Sequence, residues 1–227
     1  MVGALTLYQT TIGKKVVMAV TGLVLIGYVI LHMLGNLKVF QGPQKMNEYA
    51  VFLRAAGAPL FFHEQGLWMI RMVLLASVVL HVWAAYQLTR LDWNGRPVRY
   101  AVKRTVAASY ASRTMRWGGV IILLFIVYHV LHLTTGTVHQ SFREGDVYRN
   151  VVTGFQFVPA SIFYILAMLA LGLHLYHGFW SIGQTLGLKT SENDQAWRVI
   201  AGAIALAVTI GNISIPVAVL AGIVRSA

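Results

Sequence analysis

Cysteine is absent from all 227 residues, so disulfides, iron-sulfur ligation and thiolate metal sites are excluded on this chain. Histidine and methionine are left as the side chains able to hold an electron-carrying metal. Charge is scarce as well: charged residues make up 11% against 57% hydrophobic, a balance too apolar for a soluble core of this size. Asp and Glu number only 7, and none falls inside the long apolar runs. With no intramembrane carboxylate and no Glu-x-x-His motif, zinc and di-iron carboxylate sites are disfavoured. Transporter-type proton relays lose their usual acidic partners by the same absence, and no paired broken helices occur.

What is present is five windows nearly free of charge, each long enough to cross a hydrocarbon core, which takes roughly 20 helical residues. They run over about 16–34, 66–88, 117–135, 160–184 and 197–224. The expected fold is therefore an all-α integral membrane protein of five transmembrane helices, a single membrane domain over residues 1–227. Lys14-Lys15 before the first run imitates a secretory signal, but the run is too long and lacks a cleavage site, so it reads as a retained span. Between spans one and two lie Gly42-Pro43, Ala58-Pro59 and a possible short surface helix from Asn47 to Ala56. The turn signal Asn94-Gly95-Arg96-Pro97 follows span two. Pro159 suits the first turn of span four, and Pro216 is expected to kink span five.

The net charge of +11 is placed beside membrane ends, where lipid and topology account for it better than nucleic acid does. Lys14, Lys15 and seven cations between Arg90 and Arg116 mark one side; the first and third loops hold three and two, partly offset by acids. Positive-inside then puts the amino terminus in the cytoplasm and the carboxyl terminus outside.

Four of the five spans carry histidine: His32 in the first, His81 in the second, His129 and His132 in the third, His174 and His177 in the fourth. An imidazole in hydrocarbon is costly without a partner, and four such helices point to one shared kind of partner, iron. Counting from the inner cations at 1.5 Å per residue sorts them by depth. His32 and His129 (or His132) lie toward the outer face; His81 and His174 lie nearer the cytoplasm. Two facing histidines at each of two levels match bis-histidine ligation of two haems b. Within each doublet the i,i+3 spacing lets both members face the interior, so one is expected to ligate and the other to donate a hydrogen bond or pack. Gly22, Gly27, Gly35, Gly118, Gly119, Gly172 and Gly178 are expected to let flat macrocycles approach the helix backbones. His63 and His139, in outer loops, read as solvated. Trp68, Trp83, Trp93, Trp117 and Trp197 read as interface anchors.

In this order of elements the chain resembles the five-helix, di-haem cytochrome b membrane subunit of succinate:quinone oxidoreductases, the succinate dehydrogenase and fumarate reductase family. The likeness covers nearly the whole chain. Its signatures are Ile30-Leu-His32, Leu80-His81-Val, Gly119-Val-Ile-Ile-Leu-Leu-Phe-Ile-Val-Tyr-His129-Val and His174-Leu-Tyr-His177-Gly-Phe-Trp-Ser181. The resemblance implies that the first four spans form a bundle around two haems b, His32 and His129 ligating the outer haem, His81 and His174 the inner. It implies a flavoprotein subunit and an iron-sulfur subunit as partners, with electrons passing from inner to outer haem and on to a quinone, expected to be menaquinone. The dicarboxylate site lies on the partners, and a bacterial cytoplasmic membrane is the expected location. Arg90 to Arg116 and the link Lys189 to Asp194 would form part of the docking surface. Arg90, Lys14 and Lys15 are candidates to pair with inner haem propionates, and Arg71 with those nearer the outside. Glu64, flanked by His63 and Gln65, is the candidate proton donor for quinone; Trp180, Ser181 and Gln184 are available for a quinone near the inner haem. Rival di-haem anchors of the respiratory cytochrome b type place two ligands 13 or 14 residues apart in one helix, a spacing no span here contains. A di-haem b anchor of another respiratory dehydrogenase and a haem-free, histidine-containing transporter are the alternatives.

Overall fold

A computed structural model of the protein describes residues 4–57, 59, 62–95 and 110–226. The expected turn at Ala58-Pro59 falls partly outside these residues, as do Arg96-Pro97 and most of the basic segment, residues 96–109. Among the described residues the regular structure is all helical, with no strand. Five helices are long and apolar enough to span a membrane.

A short helix, α1 (Ala4–Gln9), leads into α2 (Thr11–Asn36), which continues as a 3-10 turn to Gln41. Thr10 starts α2 by accepting a hydrogen bond from the Gly13 N–H (2.9 Å), satisfying one of the orphan donors of the first turn. The short helix expected after Gly42-Pro43 is α3 (Pro43–Ala55), with Pro43 in its first turn, where the missing N–H costs nothing. The second span is α4 (Gln65–Asn94). The third is α5 (Tyr110–His129), followed by a π-helical turn over Val130–Thr134. An amphipathic helix, α6 (Val147–Gln156), fills what the sequence reads as a polar loop. Pro159 sits at the start of the fourth span, α7 (Val158–Thr185), as expected.

The fifth span, α8 (Asp194–Leu220), runs on through a fully buried Pro216 and stops short of the expected end near Val224. A glycine stop sets that boundary. Gly222 takes φ +69°, its N–H bonds to the Val219 carbonyl, and the Ile223 N–H reaches back to Ala218 (2.9 Å). The same six-to-one closure ends α7, with Gly187 at φ +70° and the Leu188 N–H on the Gly183 carbonyl (2.9 Å).

Helices α2 and α7 form the middle of the molecule. Against α2 lies α4, against α7 lies α5, and α8 packs along α7 while also touching α2. The fifth span is thus an integral wall of the bundle. One end of the bundle is closed by α3, α6 and the carboxyl-terminal segment. There Asn47 accepts from the Tyr148 N–H and donates to Asp146, while the Tyr148 hydroxyl donates to the Arg225 carbonyl. The first loop, the third loop and the carboxyl terminus therefore share one end, as the charge count requires of them. At the opposite end the Tyr8 hydroxyl donates to Gln87 (2.9 Å), and Asp194 accepts from Lys189, Arg198 and the Trp180 indole. Lys189 and Arg198 stand over the Trp180 ring, 3.8 and 4.5 Å from its centroid, so this loop is tied to both of its helices.

Three of the expected small-residue and anchor roles change. Gly35 gives room to Tyr49 of α3, and Gly172 to Thr209 of α8; neither faces the histidines. Trp197 is likewise packed, over Gly183 and beside Phe179, whereas Trp68, Trp83, Trp93 and Trp117 are exposed as anchors should be. Gly22 and Gly119 do stand beside histidine rings. The other three glycines, Gly27, Gly118 and Gly178, face open space.

Candidate functional site

Because α2 is antiparallel to α4 and α5 to α7, residues of equal depth in neighbouring spans meet at the same level. The structure brings the predicted histidines together in two pairs. The rings of His81 (α4) and His174 (α7) have centroids 6.3 Å apart at 59°, and those of His32 (α2) and His129 (α5) are 5.7 Å apart, nearly perpendicular. Two imidazoles ligating one metal from opposite sides, with metal–nitrogen bonds of about 2 Å, place their ring centroids about 6 Å apart. Each of the four rings is half-buried.

The inner pair is oriented from α2. His81 Nδ1 lies 3.1 Å from the Met18 carbonyl, which can only accept, so the proton sits on Nδ1 and the Nε2 lone pair is free. Thr21, whose hydroxyl is 3.2 Å from the same nitrogen, donates to the Val17 carbonyl (2.7 Å). Backbone carbonyl contacts of this kind fix the tautomer of metal-ligating histidines. Gly22 opens the space beside His81: a Cβ there would stand 3.5 Å from its Cε1. On the facing side a Cβ at Gly119 would stand 3.7 Å from Cε1 of His174, whose buried Nδ1 has no hydrogen-bond partner. An orphaned ring nitrogen beside a cleft, opposite a histidine with a committed tautomer, is a donor set suited to a haem iron. Between α5 and α7 the cleft continues as a cavity of about 270 Å³ lined by Gly118, Ile121, Leu173 and His174.

At the outer pair His32 stacks on Tyr28, with the Tyr28 hydroxyl 3.5 Å from Nδ1. His129 Nδ1 lies 3.2 Å from the hydroxyl of Tyr164 (α7). The doublets separate here. His132, three residues on, is almost fully buried and stacks between Tyr128 and His139, with Nδ1 also on the Tyr164 hydroxyl (3.1 Å). The π turn begins at Val130 and is closed by the Thr135 N–H on the Val130 carbonyl, five residues back. The wider turn carries His132 away from His32. His177 in turn meets Trp180 rather than His81. His139, read as solvated, is instead built in: its Nε2 donates to the Asn150 carbonyl (2.9 Å) and its Nδ1 accepts from the Ser141 N–H. His63 is exposed, as expected.

The remaining candidates are scattered around these levels. Lys14 is buried, its ammonium on the Tyr8 and Gln9 carbonyls (3.1 and 2.9 Å), and together with Arg90 it lines a cavity of about 380 Å³ beside Trp83 and Gln87. Arg71 stands over the Trp68 ring, 4.8 Å from its centroid. Glu64 caps α4 in the left-handed conformation, φ 65°, held by its N–H on the Arg54 carbonyl (2.7 Å) and its carboxylate 3.3 Å from Arg54 Nε. Trp180 is engaged by Asp194, Lys189 and Arg198, which ties up the side chain considered for an inner quinone. Tyr164 is the site residue missed by sequence reasoning; a tyrosine five residues into a span carries no signal until α7 is set against α5.

Residues 96–211, just over half the chain, match the family of the succinate dehydrogenase/fumarate reductase transmembrane subunit. The chain belongs to this family. The matched stretch holds α5 to most of α8, and with them His129, Tyr164 and His174; His32 and His81 lie outside it. No curated protein and no solved structure matches the chain. As a succinate dehydrogenase/fumarate reductase transmembrane subunit, the protein is a multi-pass membrane anchor that associates with the other subunits of its complex.

Proposed function

We propose that this transmembrane subunit holds two haems b, the inner between His81 and His174 and the outer between His32 and His129. It would conduct electrons between the iron-sulfur subunit of its complex and a membrane quinone, menaquinone, during succinate oxidation or fumarate reduction. The observation that carries the reading is the two facing histidine pairs at two depths, with the second member of each doublet turned to another partner.

Bound haem supplies reversible one-electron chemistry. This chain's own residues do the rest. His81 presents its Nε2 because Met18 holds the Nδ1 proton. Lys14, with one ammonium proton left after its two carbonyl contacts, and Arg90 form a cationic lining at the α1 end suited to inner propionates. Arg71, which stands over the Trp68 ring, is the proposed propionate partner at the outer level. Glu64 at the mouth of α4 is the proposed proton donor for quinone, released from Arg54 when it acts. The amino terminus is assigned to the cytoplasm, which puts the flavoprotein and iron-sulfur subunits at the Tyr8, Arg116 and Lys189 end, in a bacterial cytoplasmic membrane.

The test is a haem count and a reduced-minus-oxidised spectrum of the purified complex. Wild type is expected to hold two low-spin haems b per chain. His32→Ala and His129→Ala lose the outer haem, His81→Ala and His174→Ala the inner, while His132→Ala and His177→Ala keep both. Absence of a Soret band, or loss of a haem in His132→Ala with retention in His129→Ala, overturns the assignment. Glu64→Gln should slow quinone turnover with both haems in place; unchanged turnover removes Glu64 from that role.

A further inference from the structure

One hydroxyl is shared by two histidines at the outer level. Tyr164 Oη lies 3.2 Å from Nδ1 of His129 and 3.1 Å from Nδ1 of His132, deep in the contact between α5 and α7. A phenol carries one proton, so it donates to one of the two and accepts from the other. The surroundings do not supply a second choice. Phe125, Phe155 and Tyr128 enclose the Tyr164 ring edge-on, with centroids 5.0, 4.8 and 6.0 Å away, leaving apolar walls around the hydroxyl. His139, stacked on His132 at 5.0 Å, has both ring nitrogens committed to the backbone, Nε2 as donor and Nδ1 as acceptor.

Resting on the reading of His129 as an axial ligand, we infer that Tyr164 is a positioning residue that sets the donor strength of that ligand through a directed hydrogen-bond chain ending on His132. The direction follows from proton counting. A neutral imidazole bound to iron through Nε2 keeps its proton on Nδ1, so His129 donates to Tyr164. The phenol proton is then turned to His132, whose Nδ1 must be a lone pair and whose own proton sits on Nε2. Each bond polarises the next, which strengthens the first. An acceptor on the outer ring nitrogen raises the basicity of a metal-bound imidazole and favours the more highly charged metal. The π turn at Val130 is the structural means: it swings His132 to the α7 side, where it meets the phenol. Gly154 supplies the space for it, since a Cβ there would come within 2.9 Å of His132 Cε1 and 3.0 Å of His139 Nε2. At the inner level His81 Nδ1 faces the Met18 carbonyl and the Thr21 hydroxyl, which donates to the Val17 carbonyl, so the contacts there end on backbone rather than on a second histidine. The two levels are therefore tuned by different devices.

The experiment is a redox titration of the purified complex, followed optically and by electron paramagnetic resonance, in wild type, Tyr164→Phe and His132→Phe. Tyr164→Phe is expected to keep two haems and to raise the outer midpoint potential, the reduced-to-oxidised ratio at fixed potential rising by up to about tenfold, which is up to about 59 mV for a one-electron couple. The outer low-spin signal shifts with it and the inner haem does not move. His132→Phe keeps an aromatic ring but removes the terminal acceptor, and should move the outer potential in the same direction by less. An unmoved or lowered outer potential in Tyr164→Phe, or equal movement of both haems, overturns the inference. Should Tyr164→Phe lose the outer haem, His132→Phe decides on the same criteria. A wild type without haem fails the underlying reading instead, and the count reveals that before any titration.

Discussion

Gly172 offers the sharpest test of how the bundle is held. A Cβ built on it would lie 2.3 Å from Thr209 Oγ1 and 3.5 Å from Thr209 Cβ, on the face where α7 meets α8. The first distance is about an ångström inside any tolerable contact and the second is ordinary. Gly172→Ala therefore collides with one atom. Thr209 is β-branched, so few χ1 rotamers are open to it and relief of the contact calls for a rotamer change or a shift of α8. Overpacking of this kind costs about 1–3 kcal/mol. At roughly 2–4 °C per kcal/mol for a chain of this length, the complex should lose about 2–12 °C in a thermal unfolding scan. Thr209→Ala removes the offending oxygen and leaves the 3.5 Å contact, so the double variant should recover most of the loss, a coupling of about 1–3 kcal/mol. Gly27→Ala, with nothing within 4 Å of its Cβ, is the control and should not destabilise. An unaltered transition in Gly172→Ala, or no rescue by Thr209→Ala, would refute so close an approach of α7 to α8. The approach bears on function because His174 follows two residues later, about 200° round the helix. Packing Gly172 against α8 turns His174 toward His81.

Asp194→Asn should lower the unfolding temperature, because one carboxylate accepts from Lys189, Arg198 and Trp180; raising the salt should narrow the gap to wild type. Gly136→Ala should destabilise the outer cap, since Gly136 sits at φ +72° and a Cβ would lie 2.3 Å from Phe142; increased proteolysis between residues 136 and 146 would report it. Gly22→Leu should remove the inner haem and spare the outer one, because its side chain would enter the space beside His81; a haem count of two would contradict that.

The cost of charge in hydrocarbon made the five spans legible, and the constant rise of a helix made depth legible. Together these two rules sorted His32 with His129 or His132, and His81 with His174, from residue order alone; the preference for His129 came from the family resemblance. The same pattern could not choose between His129 and His132, because both lie on one face of a regular helix, and only the π turn at Val130 separates them. It missed α6, whose polar residues Asn150 and Asp146 look like loop and in fact cap and tie the outer end. It took Gly35 and Gly172 for haem clearance, since a missing side chain says that something comes close without saying what.

Local rules of cost and periodicity thus determined that this chain spans a membrane five times and carries imidazole donors at two levels. Which nitrogen His81 presents was decided by a tertiary contact, the Met18 carbonyl, and it was tertiary structure that set His129 and His132 on the one Tyr164 hydroxyl. A proton sits on one atom or another according to what lies about 3 Å away. In a folded bundle that neighbour comes from a helix distant in sequence.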